Sequence, residues 1–396
     1  MSQSLVVTQL VESLVVGGAE NLAVRIANGR AATGAPSLLY ALHPHGPLRT
    51  RVSSAVTLRE LDVWRESIRR PLGFAASLRR GRRAMLRQLR HDDVDVVQAH
   101  LPEANLWSLL ITGREAPAVV ATIHNNNEFY LSDRRGGLRQ ALRRRAYRLV
   151  LERCRAVVTV SAAVKSSLVD DLGLDDRQAA KLVVVPNGVE VPELQDGVRD
   201  AVRRELGLEP GEHLLLGAGR LTAQKNFIDL LEVAAALRDQ GVAAQVVIAG
   251  EGEERQLLVD RITALGLQDR VRLLGVRDDL ERLVQAADVF VLSSLWEGLP
   301  LVMLEAMAAA CPVAAYAIEG TRDILDDGRT GLLAPKGDAP ALARGLGQWL
   351  EQPENRRRVG EAGRRLVEQR YSFGGVLERL EDLYIDVARQ RGGRGS

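Results

Sequence analysis

Short apolar runs recur along the chain, each closing on Gly, Asn, His or Ser and each followed by a segment with the apolar spacing of a helix. That alternation is expected of parallel strands buried on both faces and joined by helices, the repeating βα unit of doubly wound sheets. In the first half the runs are "SLVVT" (4–8), "LLYAL" (38–42), "VDVVQAH" (94–100), "AVVATIH" (118–124), "AVVTVS" (156–161) and "LVVVPN" (182–187). In the second they are "LLLGAG" (214–219), "QVVIAG" (245–250), "VRLLG" (271–275), "DVFVLSS" (288–294), "CPVAAY" (311–316) and "GLLA" (331–334). Each half is expected to make its own sheet, and "PNGVEVPELQDG" (186–197), rich in Pro and Gly, reads as the connection between them. The boundaries expected are 1–188 and 189–375. The remainder, 376–396, reads as an apolar-striped helix that packs back towards the first domain, followed by a Gly/Arg tail that frays.

Ligands of such sheets bind outside the carboxyl ends of the strands. The residues there are Gly17 and Gly18 after the first run, then His100, His124, Ser161 and Asn187, then Gly219, Arg220, Gly250, Gly252 and Glu297. Two sheets facing each other by these edges would line one interdomain cleft with all of them.

The stretch "SSLWEGLPLVMLEAMAAACPV" (293–313) carries two glutamates eight apart, Glu297 and Glu305, and no other ionisable side chain apart from Cys311. Pro300 suits the first turn of a helix, so "GLP", Gly298 to Pro300, is expected to open a helix running to about 310. Glu297 then lies in the loop before it and Glu305 roughly 7 to 8 Å further along the axis. This spacing cannot make an acid/base dyad, but it can hold two parts of one extended ligand, and a nucleotide sugar has that shape. The free N–H groups at the helix start would meet its diphosphate. Cations are offered by "GAGRLTAQKN", with Arg220 and Lys225 beside glycines that let a backbone approach closely.

At 396 residues, 46% hydrophobic and 26% charged, the chain has the composition of a water-soluble globular protein of two domains. Two cysteines, Cys154 and Cys311, in no CxxC pattern, fit a reducing compartment and no structural zinc. With no apolar run long enough to span a bilayer and no leader pattern in "MSQSLVVTQL", a cytoplasmic location is expected. The net charge of +2 conceals an asymmetry: residues 1–195 hold 27 Lys and Arg against 19 Asp and Glu, and the rest hold 26 against 32. The basic residues concentrate in "RRGRRAMLRQLR" (79–90) and "RRGGLRQALRRRAYR" (134–148), both readable as amphipathic helices. These are either solvated faces or a dock for an anionic acceptor or for the inner, anionic face of the cell membrane. Nucleic acid is not an expected partner.

"EGLPLVMLE" resembles the E-x7-E motif of the GT4 family of retaining glycosyltransferases, which have the GT-B fold of two facing Rossmann-like α/β domains. "GGAEN" (17–21), "VQAHLPE" (97–103), "TIHNN" (122–126), "VTVSAAV" (158–164), "VPNGVE" (185–190), "GRLTAQKN" (219–226), "GEGEERQLL" (250–258), "VRLLGVRDDL" (271–280), "DGRTGLLAP" (327–335) and "YSF" (371–373) are similar to family blocks in the same order. The resemblance implies transfer of a hexose from a UDP- or GDP-sugar to a hydroxyl of a glycan or lipid-linked acceptor in cell-surface polysaccharide or glycolipid synthesis. By it, Glu305 would hold the donor ribose, Glu297 the donor sugar hydroxyls, and Arg220 with Lys225 the diphosphate. Gly18, with Gly17, would give phosphates backbone access. Gly219, Gly250, Gly252, Gly298, Leu299 and Pro300 would line the donor site, and His100 and His124 would lie on the acceptor side. The chain departs from the pattern at Ala310 and Asn226, where glycine is usual, and at "EGTRD" (319–323), departures that bear on donor-sugar preference.

The one D-x-D, Asp93-Val94-Asp95, precedes its strand and so lies at the edge opposite the ligand, which points to a metal-independent enzyme without cofactor. "AGEGEER" lacks the third glycine of a dinucleotide fingerprint and sets acidic residues against the pyrophosphate, which argues against NAD. Two other functions fit the same architecture: a nucleotide-sugar epimerase, and a silent nucleotide-sugar-binding subunit that would be expected to lack Glu297, Arg220 or Lys225.

Overall fold

In a computed structural model, residues 4–67, 69–113, 116–124 and 137–392 are described, with backbone alone for 137–140 and 391–392. They form two units, one comprising residues 1–187 with 376–396 and the other residues 188–375. Among the described residues the first unit holds a seven-stranded parallel sheet. Its strands are β1 (Val7–Val11), β2 (Ser37–Ala41), β3 (Thr57–Glu60), β4 (Val96–His100), β5 (Ala118–Ile123), β6 (Ala156–Thr159) and β7 (Leu182–Val184), in the order β3-β2-β1-β4-β5-β6-β7. The second unit holds six parallel strands: β8 (His213–Ala218), β9 (Ala244–Ala249), β10 (Val271–Gly275), β11 (Val289–Leu292), β12 (Val313–Tyr316) and β13 (Leu332–Ala334). Their order is β10-β9-β8-β11-β12-β13.

The order reverses direction at β1/β4 in one sheet and at β8/β11 in the other, and these are the switch points where ligand crevices of such sheets form. Each sheet is buried because apolar helices cover it. In the second unit, Leu230, Leu231 and Leu237 from helix Phe227–Asp239 pack with Leu342, Leu346 and Trp349 from helix Ala339–Leu350 onto Leu215, Val246 and Val291. At about 1.5–3 kcal/mol for each such side chain taken from water, this layer outweighs any single polar contact in holding the sheet.

Two strands differ from the sequence pattern. β1 runs Val7–Val11 and not 4–8, because the polar pair Thr8 and Gln9, which looks like a strand end, is fully buried within it. β3 has no apolar run to announce it, being a partly exposed edge strand of sequence TLRE. The terminal helix Phe373–Gly392 puts Tyr384 and Val387 into the core of the first unit, and buried Arg30 pairs with Glu381 at 3.0 Å.

Candidate functional site

In the second unit, the loop after β8 carries Gly219 at φ 146° and Arg220, then Lys225 before helix Phe227–Asp239. Gly250 and Gly252 explain its shape. A Cβ on Gly250 would fall 1.8 Å from the Gly219 carbonyl oxygen, and one on Gly252 2.3 Å from that of Leu221. Both glycines therefore exist to let the loop after β9 pass against the Arg220 loop, and Leu221 N–H closes the contact on the Glu251 carbonyl at 3.0 Å. Arg220 is exposed and, among the described residues, engages no partner.

Lys225 Nζ lies 2.6 Å from Glu297 Oε1, which also accepts the Ser294 hydroxyl at 2.7 Å. Gln224 donates to the Trp296 carbonyl at 2.9 Å and to Glu297 Oε2 at 3.4 Å, while Ser293 Oγ donates to the Lys225 carbonyl at 3.0 Å. The side chains of Lys225 and Glu297 are 16% and 9% exposed, so the pair is rigid yet reachable by a ligand. A further glycine supports it from behind: a Cβ on Gly320 would stand 2.6 Å from the Glu297 carbonyl oxygen.

Gly298, Leu299 and Pro300 are buried. Pro300 occupies the N-cap of helix Leu301–Ala308 and not its first turn, with ψ 97° still extended. No side chain caps the helix start, so its first N–H groups are donors an anion can take. Glu305 is the fifth residue of that helix, about 6 Å along the axis, and only partly buried. Asn226 and Ala310, where the family resemblance leads one to expect glycine, have φ of 49° and 57°: the left-handed backbone is kept although the glycine is not.

In the first unit, Gly17 is the extended N-cap of helix Gly18–Ala32, and a Cβ there would strike the Glu20 carboxylate at 2.2 Å. A Cβ on Gly18 would meet nothing within 4 Å, so packing does not account for that glycine. His100, at the end of β4, is fully buried. Its Nε2 lies 2.7 Å from Gln9 Oε1 and its Nδ1 3.2 Å from Nε2 of His124, after β5. Gln9 in turn donates its amide N–H to the Tyr384 hydroxyl at 3.2 Å, the Tyr384 O–H donates to Gln98 Oε1, and Gln98 donates to the Thr122 hydroxyl at 2.9 Å. Burial, and then the neighbouring His124, push the His100 pKa well below the ordinary imidazole value. Burial alone pushes His124 down to about 4, so both rings are neutral at neutral pH.

Ser161 caps helix Ala162–Leu172, its Oγ accepting from Val164 N–H at 3.1 Å, and Asn187 is buried at the end of the first unit. Asp95 accepts the Val6 N–H at 3.0 Å and so anchors the start of β1, the edge remote from these residues. Among the described residues, the side chains whose metal-ligating atoms cluster three together are Glu12, His43 and Glu103.

The pattern of apolar runs did not single out Ser294, Gln224 or Gly320, nor the Gln9, Gln98 and Tyr384 network. The doubled serine before Trp296 and Glu297 was a usable signal for the first. Nothing short of the folded chain brings residue 384 to residue 98.

The sequence profile described as "Glycosyltransferase Family 4" matches residues 16–192, and that described as "Glycosyl transferases group 1" matches residues 198–366. The chain is 31% identical over 303 residues to the phosphatidyl-myo-inositol mannosyltransferase of Mycobacterium leprae, covering 75% of this chain and 74% of that protein. It is 31% identical over 191 residues to the alpha-D-kanosaminyltransferase of Streptomyces kanamyceticus, covering 48% of this chain and 49% of the other. The chain spans about half the length of the first curated relatives it matches. Among solved structures, Anabaena HepE in complex with UDP superposes with a TM-score of 0.81 at 19% identity, over 96% of this chain and 100% of that one, which shows the GT-B fold.

Proposed function

We propose, since the chain belongs to the family 4, group 1 glycosyltransferases, that it moves a hexose-type sugar from a UDP- or GDP-sugar to a hydroxyl of a glycan or lipid-linked acceptor. The observation that carries this reading is the rigid Lys225–Glu297 pair beside exposed Arg220 and an uncapped helix start. Lys225 has three N–H donors and spends them only in part on Glu297, so a diphosphate can share the ammonium while Arg220 closes on it from solvent. Glu297 Oε2, held only at 3.4 Å by Gln224, is free to accept a donor-sugar hydroxyl, and Glu305 is assigned the ribose hydroxyls. Gly219, Gly250, Gly252 and Gly298 to Pro300 shape the donor site, and Gly17 and Gly18 offer backbone N–H groups to phosphate.

The proposed reaction retains the anomeric configuration. The bond from the anomeric carbon to the diphosphate oxygen breaks, the acceptor oxygen bonds to the same face of that carbon, and the acceptor proton passes to the departing diphosphate. The protein's part is electrostatic: Arg220, Lys225 and the helix start stabilise charge that grows only as the bond breaks, which is where differential binding raises the rate. His100 and His124, neutral and hydrogen-bonded, suit the acceptor side as hydrogen-bonding groups and not as charges.

No metal or cofactor enters this scheme, and the working location is the cytoplasm or the inner membrane face, with cell-surface polysaccharide or glycolipid as the destination. No helix among the described residues is long and apolar enough to cross a membrane. The test is nucleotide release from UDP- and GDP-sugars in EDTA, with and without a panel of glycan and lipid-linked acceptors. Release that requires acceptor is the expected result. Conversion of the donor into an epimeric nucleotide sugar with no net release of nucleotide would favour the epimerase, binding without turnover the silent subunit, and activity restored by Mn²⁺ a metal-dependent transferase.

A further inference from the structure

The carboxyl edge of the first sheet holds a second cluster of charged groups. Glu12 follows β1, His43 follows β2, and Glu103 stands in the first turn of the helix after β4, so three adjacent strands deliver them to one place. The ligating atoms of the three side chains all lie within 4.8 Å of one another. The backbone fixes two of them, since His43 N–H donates to the Glu12 carbonyl at 2.8 Å.

The cluster is incompletely satisfied. Arg65 Nε lies 3.1 Å from Glu103 Oε1 and compensates that carboxylate. Among the described residues Glu12 makes no ion pair of its own, and burial, followed by repulsion from Glu103, holds its carboxyl above the usual range although His43 and Arg65 oppose the shift. His43 Nδ1 is buried without a hydrogen-bond partner among the described residues. Two carboxylates against one guanidinium, with the Asp62 carboxylate accepting the Trp64 indole N–H at 2.5 Å, leave the place net negative and suited to a cation. The cluster also has a platform beside it. Trp64 stacks on His43 with ring centroids 3.7 Å apart and 18° between planes, yet remains 58% exposed. An exposed indole face next to an anionic pocket suits a ring that carries a positive charge.

We propose that Glu12, His43, Glu103 and Trp64 form a subsite for the ammonium group of an amine-bearing, ring-shaped acceptor such as an amino sugar. The identity of this ligand as the acceptor rests on the glycosyl-transfer reading above, because the subsite shares its sheet edge with His100, three residues before Glu103. The ammonium donates to both carboxylates, and the ring lies on the exposed indole of Trp64, which His43 backs by stacking.

The test uses the full chain and three probes: D-glucosamine, N-acetyl-D-glucosamine and D-glucose, titrated calorimetrically at neutral pH. Glucosamine is expected to bind roughly tenfold or more tightly than either neutral sugar, as a charge-assisted contact in a half-buried site allows. Glu12→Gln, which keeps shape and relieves repulsion, should abolish the preference without lowering thermal stability, and Trp64→Ala should weaken all three sugars together. Equal binding by the three sugars overturns the proposal, as does a preference that survives Glu12→Gln. A Mn²⁺ isotherm that disappears in His43→Phe, with no amine preference, would assign the cluster to a divalent cation instead and also overturn it. UDP is titrated in the same samples. Failure of UDP to bind would remove the glycosyl-transfer reading while leaving the ammonium result to stand by itself.

Discussion

Lys225 and Glu297 hold each other at 2.6 Å in a site 16% and 9% exposed, which makes each the condition for the other's orientation. Removing the ammonium leaves a carboxylate without its partner at the place proposed for the diphosphate, so Lys225→Ala should lower kcat/KM by roughly 10²-fold or more. Arg220→Ala should cost a similar factor but leave the fold untouched, because Arg220 is exposed and unpartnered among the described residues. Steady-state kinetics on both variants decides, and near-native turnover in either removes that residue from the site. A second residue-scale prediction follows from the histidines. His100 and His124 are held neutral in the fold, so the unfolded chain binds protons first. Their contribution is complete above about pH 6.5 and is lost as the pH falls towards about 4. For His124, which is partly accessible, we expect a loss of about 1–2 kcal/mol between pH 7 and 4.5. Urea unfolding at several pH values, compared with His124→Gln, isolates that share; parallel curves would sink it. Lys225, Glu297 and Arg220 could be placed at strand ends from the sequence because those ends are short and punctuated by Gly. The hold of Lys225 on Glu297 could not be read there, since it depends on how two loops 72 residues apart settle.

At the scale of elements, twelve apolar runs anticipated all the strands but β3, because a parallel strand buried on both faces must be apolar throughout, and β3 is not so buried. Helix ends were less legible. Pro300 fits either the N-cap or the first turn by its φ alone, and only the extended ψ of 97° decides between them. Ala310 shows backbone requirement surviving a change of residue. It ends helix Leu301–Ala308 at φ 57°, and its carbonyl oxygen lies where a Cβ on Gly360 would come within 2.1 Å, so the chain cannot relax out of the left-handed region without moving the helix Pro353–Arg370. Left-handed backbone costs an alanine about 1–2 kcal/mol, part of which glycine gives back through its greater unfolded-state entropy. Ala310→Gly should therefore raise stability by about 0.5–1 kcal/mol. A chemical denaturation curve with an unchanged or lower midpoint would show that the strain is relieved elsewhere.

For the whole molecule, the sequence displays charge by halves, and the structure shows which arginines remain available in the first unit. Helix Pro71–His91 buries Ser77, Gly81, Met85 and Leu89 at four-residue intervals, and Gly81 is required because a Cβ would come 2.5 Å from Trp107. Arg79, Arg83, Arg87 and Arg90 are exposed, with the first three repeating at the same interval. In helix Gly137–Arg153, Arg144 lies 3.7 Å from Asp171 and Arg148 donates to the Leu172 carbonyl, which ties both to the fold, while Arg143 and Arg145 are exposed. Arg134 and Arg135 lie outside the described residues. A stripe of free guanidinium groups is what an anionic lipid surface attracts, at about 1 kcal/mol for each basic residue near it, and salt weakens the attraction as the Debye length shortens. Should the acceptor be lipid-linked, this stripe would bring the first unit to it. The protein is then expected to pellet with phosphatidylglycerol vesicles and not with phosphatidylcholine. Arg79, Arg83 and Arg87 changed together to Ser should abolish pelleting and leave UDP binding intact, because these side chains are remote in sequence and in unit from Lys225 and Glu297. Equal pelleting with both lipids, or none at low salt, would make the stripe a solvated face and the acceptor a soluble one.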